Sequence, residues 1–156
     1  MASLRIREAS SPDDLTHVHR LFRAYADSLG ISLCFQNFDQ ELDGLPGAYA
    51  PPKGCLLLAE FEGLAGGCVA LRPFQDHICE MKRLFVAPQF RGTGAGRLLA
   101  LAIMEKAKGL GYQAIRLDTL PSMAAAIKMY RSFGFKPIEP YYDNPVPGAL
   151  FLECKL

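Results

Sequence analysis

Several features are missing from this chain of 156 residues, and each absence excludes a class of function. Its longest apolar run, Leu98 to Met104, is far short of the ~20 residues a bilayer span needs, so no membrane partner is expected. Charge of one sign is missing too: 17 basic and 16 acidic residues leave a net charge of +1 with no like-charged block. A nucleic-acid binder would carry a basic face, so no nucleic acid is expected. The cysteines (Cys34, Cys55, Cys68, Cys79, Cys154) are odd in number, widely spaced and lack a C-x-x-C pair. They read as reduced thiols of a cytosolic protein, mostly core fillers. His17 and His19 lie two apart on a helix and cannot easily share a metal, and His77 reads as a solvated turn residue, so no metal site is expected. Met1 to Ser10 alternates charge without an apolar stretch; no secretory signal is expected, and the cytoplasm is the expected location.

What is present is an apolar half, 50% of the residues, which rules out disorder as the main state. A chain of this length buries roughly 70% of its unfolded surface and reads as one domain, residues 1–156. Leu4 to Arg7 alternates like a half-buried strand. Ser11 or Asp13 caps a helix with Pro12 in its first turn, a stripe of Leu15, Val18, Leu21, Phe22, Tyr25 and Leu29, and Gly30 as its stop. A short helix is expected around Phe38 to Leu42, and Gly44 to Gly54 reads as loop. Three strand-like runs follow with tight connections: Cys55 to Phe61, Leu64 to Leu71 and Ile78 to Ala87, the first two joined at Glu62-Gly63. Then come a helix from about Gly94 to Lys108, a strand Ala114 to Thr119, a helix Ser122 to Phe133 and two last strands, ending with Leu150 to Leu156. The order predicts an α/β (α+β) fold: a mixed, mostly antiparallel sheet of about seven strands flanked by about four helices.

The informative stretch is Arg91-Gly92-Thr93-Gly94-Ala95-Gly96-Arg97, where a strand runs into alternate glycines and a helix begins. Glycines there let backbone N–H groups converge, and the helix start adds unsatisfied donors and partial positive charge. The result suits phosphate oxygens, with Arg91 and Arg97 as flanking cations. The bland alternative is a tight turn that needs glycine for packing alone. A Walker A loop fails, because Arg97-Leu98 follow the last glycine. A dinucleotide fingerprint fails because the third glycine comes one residue early and the preceding strands are hairpins.

This turn resembles the acetyl-CoA motif of the GCN5-related N-acetyltransferases (the GNAT superfamily), R/Q-x-x-G-x-G/A, preceded here by the usual V-x-P at Val86-Ala87-Pro88. Ala126 to Phe135 is similar to the family's A-x-x-x-Y-x-x-x-G-F, in the expected order and spacing. The resemblance covers nearly the whole element order. It implies a sheet splayed at its centre, a CoA pyrophosphate on the Arg91 to Arg97 turn, and a pantetheine arm paired with the backbone of Leu84, Phe85 and Val86. It implies Tyr130 as the acid for the departing thiolate. One departure stands out: many relatives carry asparagine seven residues before that tyrosine, where this chain has Met123, so that pantetheine contact is not carried over.

Acetyl transfer also needs a base for the amine. Glu80 is the first candidate: period two places it on the face of Ile78, Lys82, Leu84 and Val86, where partial burial would raise its pKa. A surface ion pair with Lys82 or Arg83 is the alternative. Asp118 matches the position of a second family carboxylate, or else caps the helix near Ser122. Ordered water is a third route. The resemblance places the acceptor between Tyr25 to Pro52 (Phe35, Phe38, Asp39, Glu41, Asp43, Tyr49) and Glu139 to Gly148 (Tyr141, Tyr142, Asp143, Asn144). Aromatics with carboxylates suit an amine-bearing small molecule or a peptide N-terminus. The expected activity is acetyl-CoA-dependent N-acetylation of a small-molecule amine by direct attack. A protein or peptide acetylase and a non-catalytic CoA sensor are the alternatives. A homodimer is compatible with the family, with no sequence signal for or against it.

Overall fold

The computed structural model describes residues 3–30 and 37–156; Met1, Cys34 and Phe35 lie outside them. Alternating Leu4-Arg5-Ile6-Arg7 forms the edge strand β1 (Leu4–Glu8). Helix α1 (Pro12–Leu29) starts at Ser11, whose hydroxyl accepts from the Asp14 N–H while Asp14 reaches back to the N-cap backbone. Gly30 ends it at φ 66°, a left-handed stop that glycine adopts without a Cβ penalty. Helix α2 (Phe38–Asp43) is followed by the expected loop, which contains a single 3-10 turn at Gly47–Tyr49.

Strands β2 (Cys55–Phe61), β3 (Leu64–Gln75) and β4 (Ile78–Val86) form a meander, then α3 (Ala95–Gly109), β5 (Ala114–Thr119), α4 (Ala124–Ser132), β6 (Lys136–Pro137) and β7 (Leu150–Lys155) complete the chain. Strand β3 runs to Gln75, past the expected end at Leu71. Pro73 does not stop it because the register shifts between Pro73 and Gln75, a place where a missing N–H is tolerated. Helix α4 begins at Ala124 rather than Ser122, since a turn closed by the Met123 N–H on Leu120 O precedes it.

The seven strands order as β1-β2-β3-β4-β5-β7-β6, with every pair antiparallel except β4–β5. That parallel pair holds only at Ile78–Ala114, Cys79–Ile115 and Glu80–Arg116. Beyond Met81 and Leu117 the two strands part, and the sheet opens at its centre. One face packs under α1 and α2 through Val18, Leu21, Phe22, Phe38, Leu58, Cys68 and Phe85. The other packs under α3 and α4 through Leu99, Ile103, Ile115, Tyr130 and Leu152. Phe38 and Tyr49, placed by sequence in the acceptor region, are core residues. Cys55, Cys68, Cys79 and Cys154 are free, buried thiols.

Candidate active site

The opening between β4 and β5 is shaped by a bulge. Phe85 pairs with Cys68 and Lys82 with Ala70, so Arg83 and Leu84 together oppose the single residue Val69. Arg83 takes φ 62°, and the side-chain alternation restarts after it. Cys79, Met81, Leu84 and Val86 therefore lie toward α3 and α4, while Phe85 lies toward α1 and α2. Glu80 and Lys82 take the α1 side. The period-two expectation that Glu80 shares a face with Leu84 and Val86 is thus corrected: the extra residue swaps the faces.

Arg83 goes to α2. Its Nε and Nη2 each reach a Glu41 carboxylate oxygen at 3.0 Å, and its guanidinium lies 5.1 Å from the Phe38 ring centre and 5.8 Å from Tyr25. Glu80 does not pair with it. It is 1% exposed, accepts from Arg72 Nε at 2.8 Å and from the Tyr141 hydroxyl at 2.8 Å, and lies 3.9 Å from Lys82 Nζ. In place of the alternative, a surface pair, Glu80 sits in a buried cluster, assembled because β3 continues far enough to set Arg72 opposite it.

Asp118, on the separated end of β5, accepts from the Tyr142 hydroxyl and from Asn144 Nδ2 at 3.4 Å, and lies 3.6 Å from Lys82 Nζ. Helix α4 has no side-chain N-cap bond, so the capping alternative for Asp118 fails. Both carboxylates thus touch Lys82 and the loop before β7. The sequence named that loop and both carboxylates, named Lys82 only as a surface partner of Glu80, and missed Arg72. Lysine's usual place is the surface, and only its position two residues from Glu80 on the same strand, beside Asp118 on β5, pointed inward.

Tyr130, from α4, is 5% exposed, and its ring packs on Phe135 with centroids 5.6 Å apart. Its hydroxyl has no hydrogen-bond partner among the described residues, and Tyr130 lines a cavity of about 30 Å³ with Lys82, Leu84, Asp118 and Met123. Burial pushes the Tyr130 pKa up, so it stays protonated at neutral pH and has a proton to donate. Burial also lowers the Lys82 pKa, against the opposing pull of Asp118 and Glu80.

A second cavity of about 310 Å³ adjoins the first and shares Tyr25, Leu84 and Met123 with it. It runs along Leu84, Phe85 and Val86 to Arg91 at the start of the glycine turn, and through the shared residues it meets the cavity that Tyr130 lines. In the turn, Gly92 and Gly94 take φ 81° and 86°, where a side chain would be strained. Thr93 Oγ1 donates to Phe90 O at 2.7 Å and accepts from the Ala95 N–H at 3.3 Å. The N–H groups of Gly92, Thr93, Gly94, Gly96 and Arg97 have no recorded partner among the described residues, the arrangement a phosphate fits. Arg91 is exposed with its Nε on Val86 O at 3.2 Å, and Arg97 stacks 4.9 Å from the Phe133 ring centre.

The sequence model of the acetyltransferase (GNAT) family matches residues 16–135. An uncharacterized N-acetyltransferase of Schizosaccharomyces pombe is 41% identical over 157 residues, covering 99% of this chain and 96% of that protein. Human N-acetylaspartate synthetase is 36% identical over 99 residues, covering 63% of this chain and 33% of its own. The PaiA N-acetyltransferase of Thermoplasma acidophilum, solved in complex with coenzyme A, matches with a TM-score of 0.74 at 19% identity over 99% of each chain.

Proposed function

Because the chain belongs to the GNAT acetyltransferase family, we propose that it moves the acetyl group of acetyl-CoA to the primary amine of a small molecule, by direct attack within a ternary complex. The observation that carries this is the groove along Leu84–Val86 that starts at Arg91, the first residue of the glycine turn, and meets the cavity lined by Tyr130. The turn from Arg91 to Arg97 (Gly92, Thr93, Gly94, Ala95 and Gly96 between them) grips the pyrophosphate, with Arg91 the nearer cation. The pantetheine arm takes the β4 edge at Leu84–Val86 that β5 has left. The thioester then lies at the open end of the β4–β5 gap.

There, Asp118 takes the proton of the attacking ammonium, directly or through water, and Tyr130 protonates the departing thiolate. Glu80, clamped by Arg72 and Tyr141, orders Lys82 and the loop before β7 behind it. No metal takes part. The end of the groove, about 30 Å³, favours a small amine over a protein segment, and N-acetylaspartate, after which the human relative is named, is such an acetylated small amine. The acting unit is residues 1–156 in the cytoplasm, in keeping with free thiols at Cys55, Cys68, Cys79 and Cys154.

The test is thiol release from acetyl-CoA over a panel of amines, polyamines, amino acids and short peptides. Turnover with small amines is the expected result. Faster turnover with peptides would move the assignment to a protein acetylase. Binding of CoA without turnover on any acceptor would leave a sensor.

A further inference from the structure

The end of the groove holds one side chain that the transfer above does not use as a reactant. Lys82 leaves β4 just ahead of the bulge and is 5% exposed, while every other lysine is exposed or half-buried. It lines the same small cavity as Tyr130, two residues from Leu84, where the pantetheine arm ends. Each element around it contributes a polar group: Asp118 from β5, Glu80 and Arg83 from β4, Arg72 from β3, Tyr25 from α1 and Tyr130 from α4. The two guanidiniums are each closed on a carboxylate, Arg72 on Glu80 and Arg83 on Glu41. Asp118 remains as the main anion holding the ammonium charged, and burial works against it.

We propose that Lys82 is itself an acetyl acceptor: with acetyl-CoA in the groove and no amine present, its Nζ attacks the thioester and becomes acetyl-lysine. This rests on the reading that the groove binds acetyl-CoA. The Lys82 ammonium first releases one proton to solvent, which frees the lone pair. That pair adds to the carbonyl carbon, the N–C bond forms, and the C–S bond breaks with its electrons staying on sulfur. Tyr130 protonates the sulfur and is reprotonated by the second proton leaving nitrogen, passed through Asp118 or water. The sum is acetyl-CoA plus lysine ammonium giving acetyl-lysine, free CoA and one proton.

A cavity of about 30 Å³ has room for two or three water-sized groups, the size of an acetyl, since ~10–15 Å³ holds one water. The product amide is not an acyl donor, so it is no intermediate. It takes away the cation beside Asp118 and fills the acceptor end. The modification is therefore a brake that engages when acetyl-CoA is plentiful and acceptor is scarce.

The experiment incubates the full chain with acetyl-CoA alone, at pH 7 and pH 9, and maps acetylated peptides by mass spectrometry over time, with CoA-induced thermal shift measured in parallel. The expected result is a single acetyl on Lys82, complete before any appears on Lys53 or Lys128, neither of which lines the groove. It forms faster at pH 9, is absent in Lys82→Arg, and lowers turnover in step with its occupancy. A thermal shift with no acetyl on Lys82, or with acetyl spread evenly over surface lysines, overturns this proposal and leaves the acetyltransferase reading standing. Neither shift nor acetylation overturns both. The mapping on the unaltered chain decides even where the variant folds poorly.

Discussion

Replacing Tyr130 by phenylalanine removes one oxygen and keeps the ring on Phe135. If that oxygen held the fold, its loss would cost about 1–3 kcal/mol through a stranded partner. The hydroxyl has no partner among the described residues, so the variant's stability should stay within about 0.5 kcal/mol of the parent. At about 2–4 °C per kcal/mol for a chain of this size, the melting temperature should move by about 2 °C at most. The kinetic cost is of another order. A positioned acid contributes ~10²–10⁴-fold, or about 2.7–5.4 kcal/mol of barrier at 1.36 kcal/mol per decade. Thiol release should therefore fall by at least ~10²-fold while the CoA dissociation constant changes little. Three measurements read this: kcat by thiol release, CoA affinity by titration, and Tm. Full turnover in the variant refutes the acid role. A fall in Tm well beyond about 4 °C would instead make the hydroxyl a structural group.

Arg91→Glu, a change at an exposed position, should leave the melting temperature of the unliganded chain unchanged and abolish its rise with CoA, with affinity lower by about tenfold or more, as expected for one charge-assisted phosphate contact. A retained shift would detach Arg91 from the ligand. Asp14→Asn removes the charge from the pair with Arg7, at 2.5 and 2.8 Å, and weakens the bonds from the Ser10 and Ser11 N–H groups, costing about 2–3 kcal/mol at pH 7. The hydrogen bond from Arg7, above all, holds Asp14 well below an ordinary carboxylate. Its contribution is accordingly full above the unfolded value of 3.8 and lost as pH falls through the lower folded one. Urea unfolding of both proteins should show the gap at pH 7 and a smaller gap below pH 3; a gap constant with pH contradicts it. Gly66→Ala would set a Cβ 2.3 Å from Phe90 Cδ2, in a ring stacked 4.2 Å from Phe61. It should cost about 1–3 kcal/mol of stability, relieved when Phe90→Ala is added; an unchanged melting temperature would mean that Phe90 moves freely.

Elements governed by local chemistry were legible in the sequence. Ser11 and Gly30 bound α1, Glu62-Gly63 turns the hairpin, Ala114–Thr119 is a strand to the residue, and the family resemblance placed the gap in the sheet. The bulge at Arg83 was not legible, because nothing in Lys82-Arg83-Leu84 marks a left-handed arginine; the register against Cys68 and Ala70 imposes it. Missing the bulge set Glu80 on the wrong face. The extension of β3 was hidden by Pro73, and with it the Arg72–Glu80 pair. The ties from Tyr141 to Glu80 and from Tyr142 to Asp118 cross 61 and 24 residues, beyond the reach of any periodicity. The carboxylates were found by position in their strands, while the groups that hold them came from tertiary packing.

The most direct measurement is a crystal structure with coenzyme A bound. The account predicts pyrophosphate oxygens within hydrogen-bond distance of the Gly92, Gly94 and Gly96 N–H groups, the pantetheine amides on the Leu84–Val86 backbone, and the sulfur beside the Tyr130 hydroxyl. Coenzyme A seated elsewhere, with the Arg91–Arg97 turn and the β4–β5 gap closed by the protein's own side chains, would contradict it.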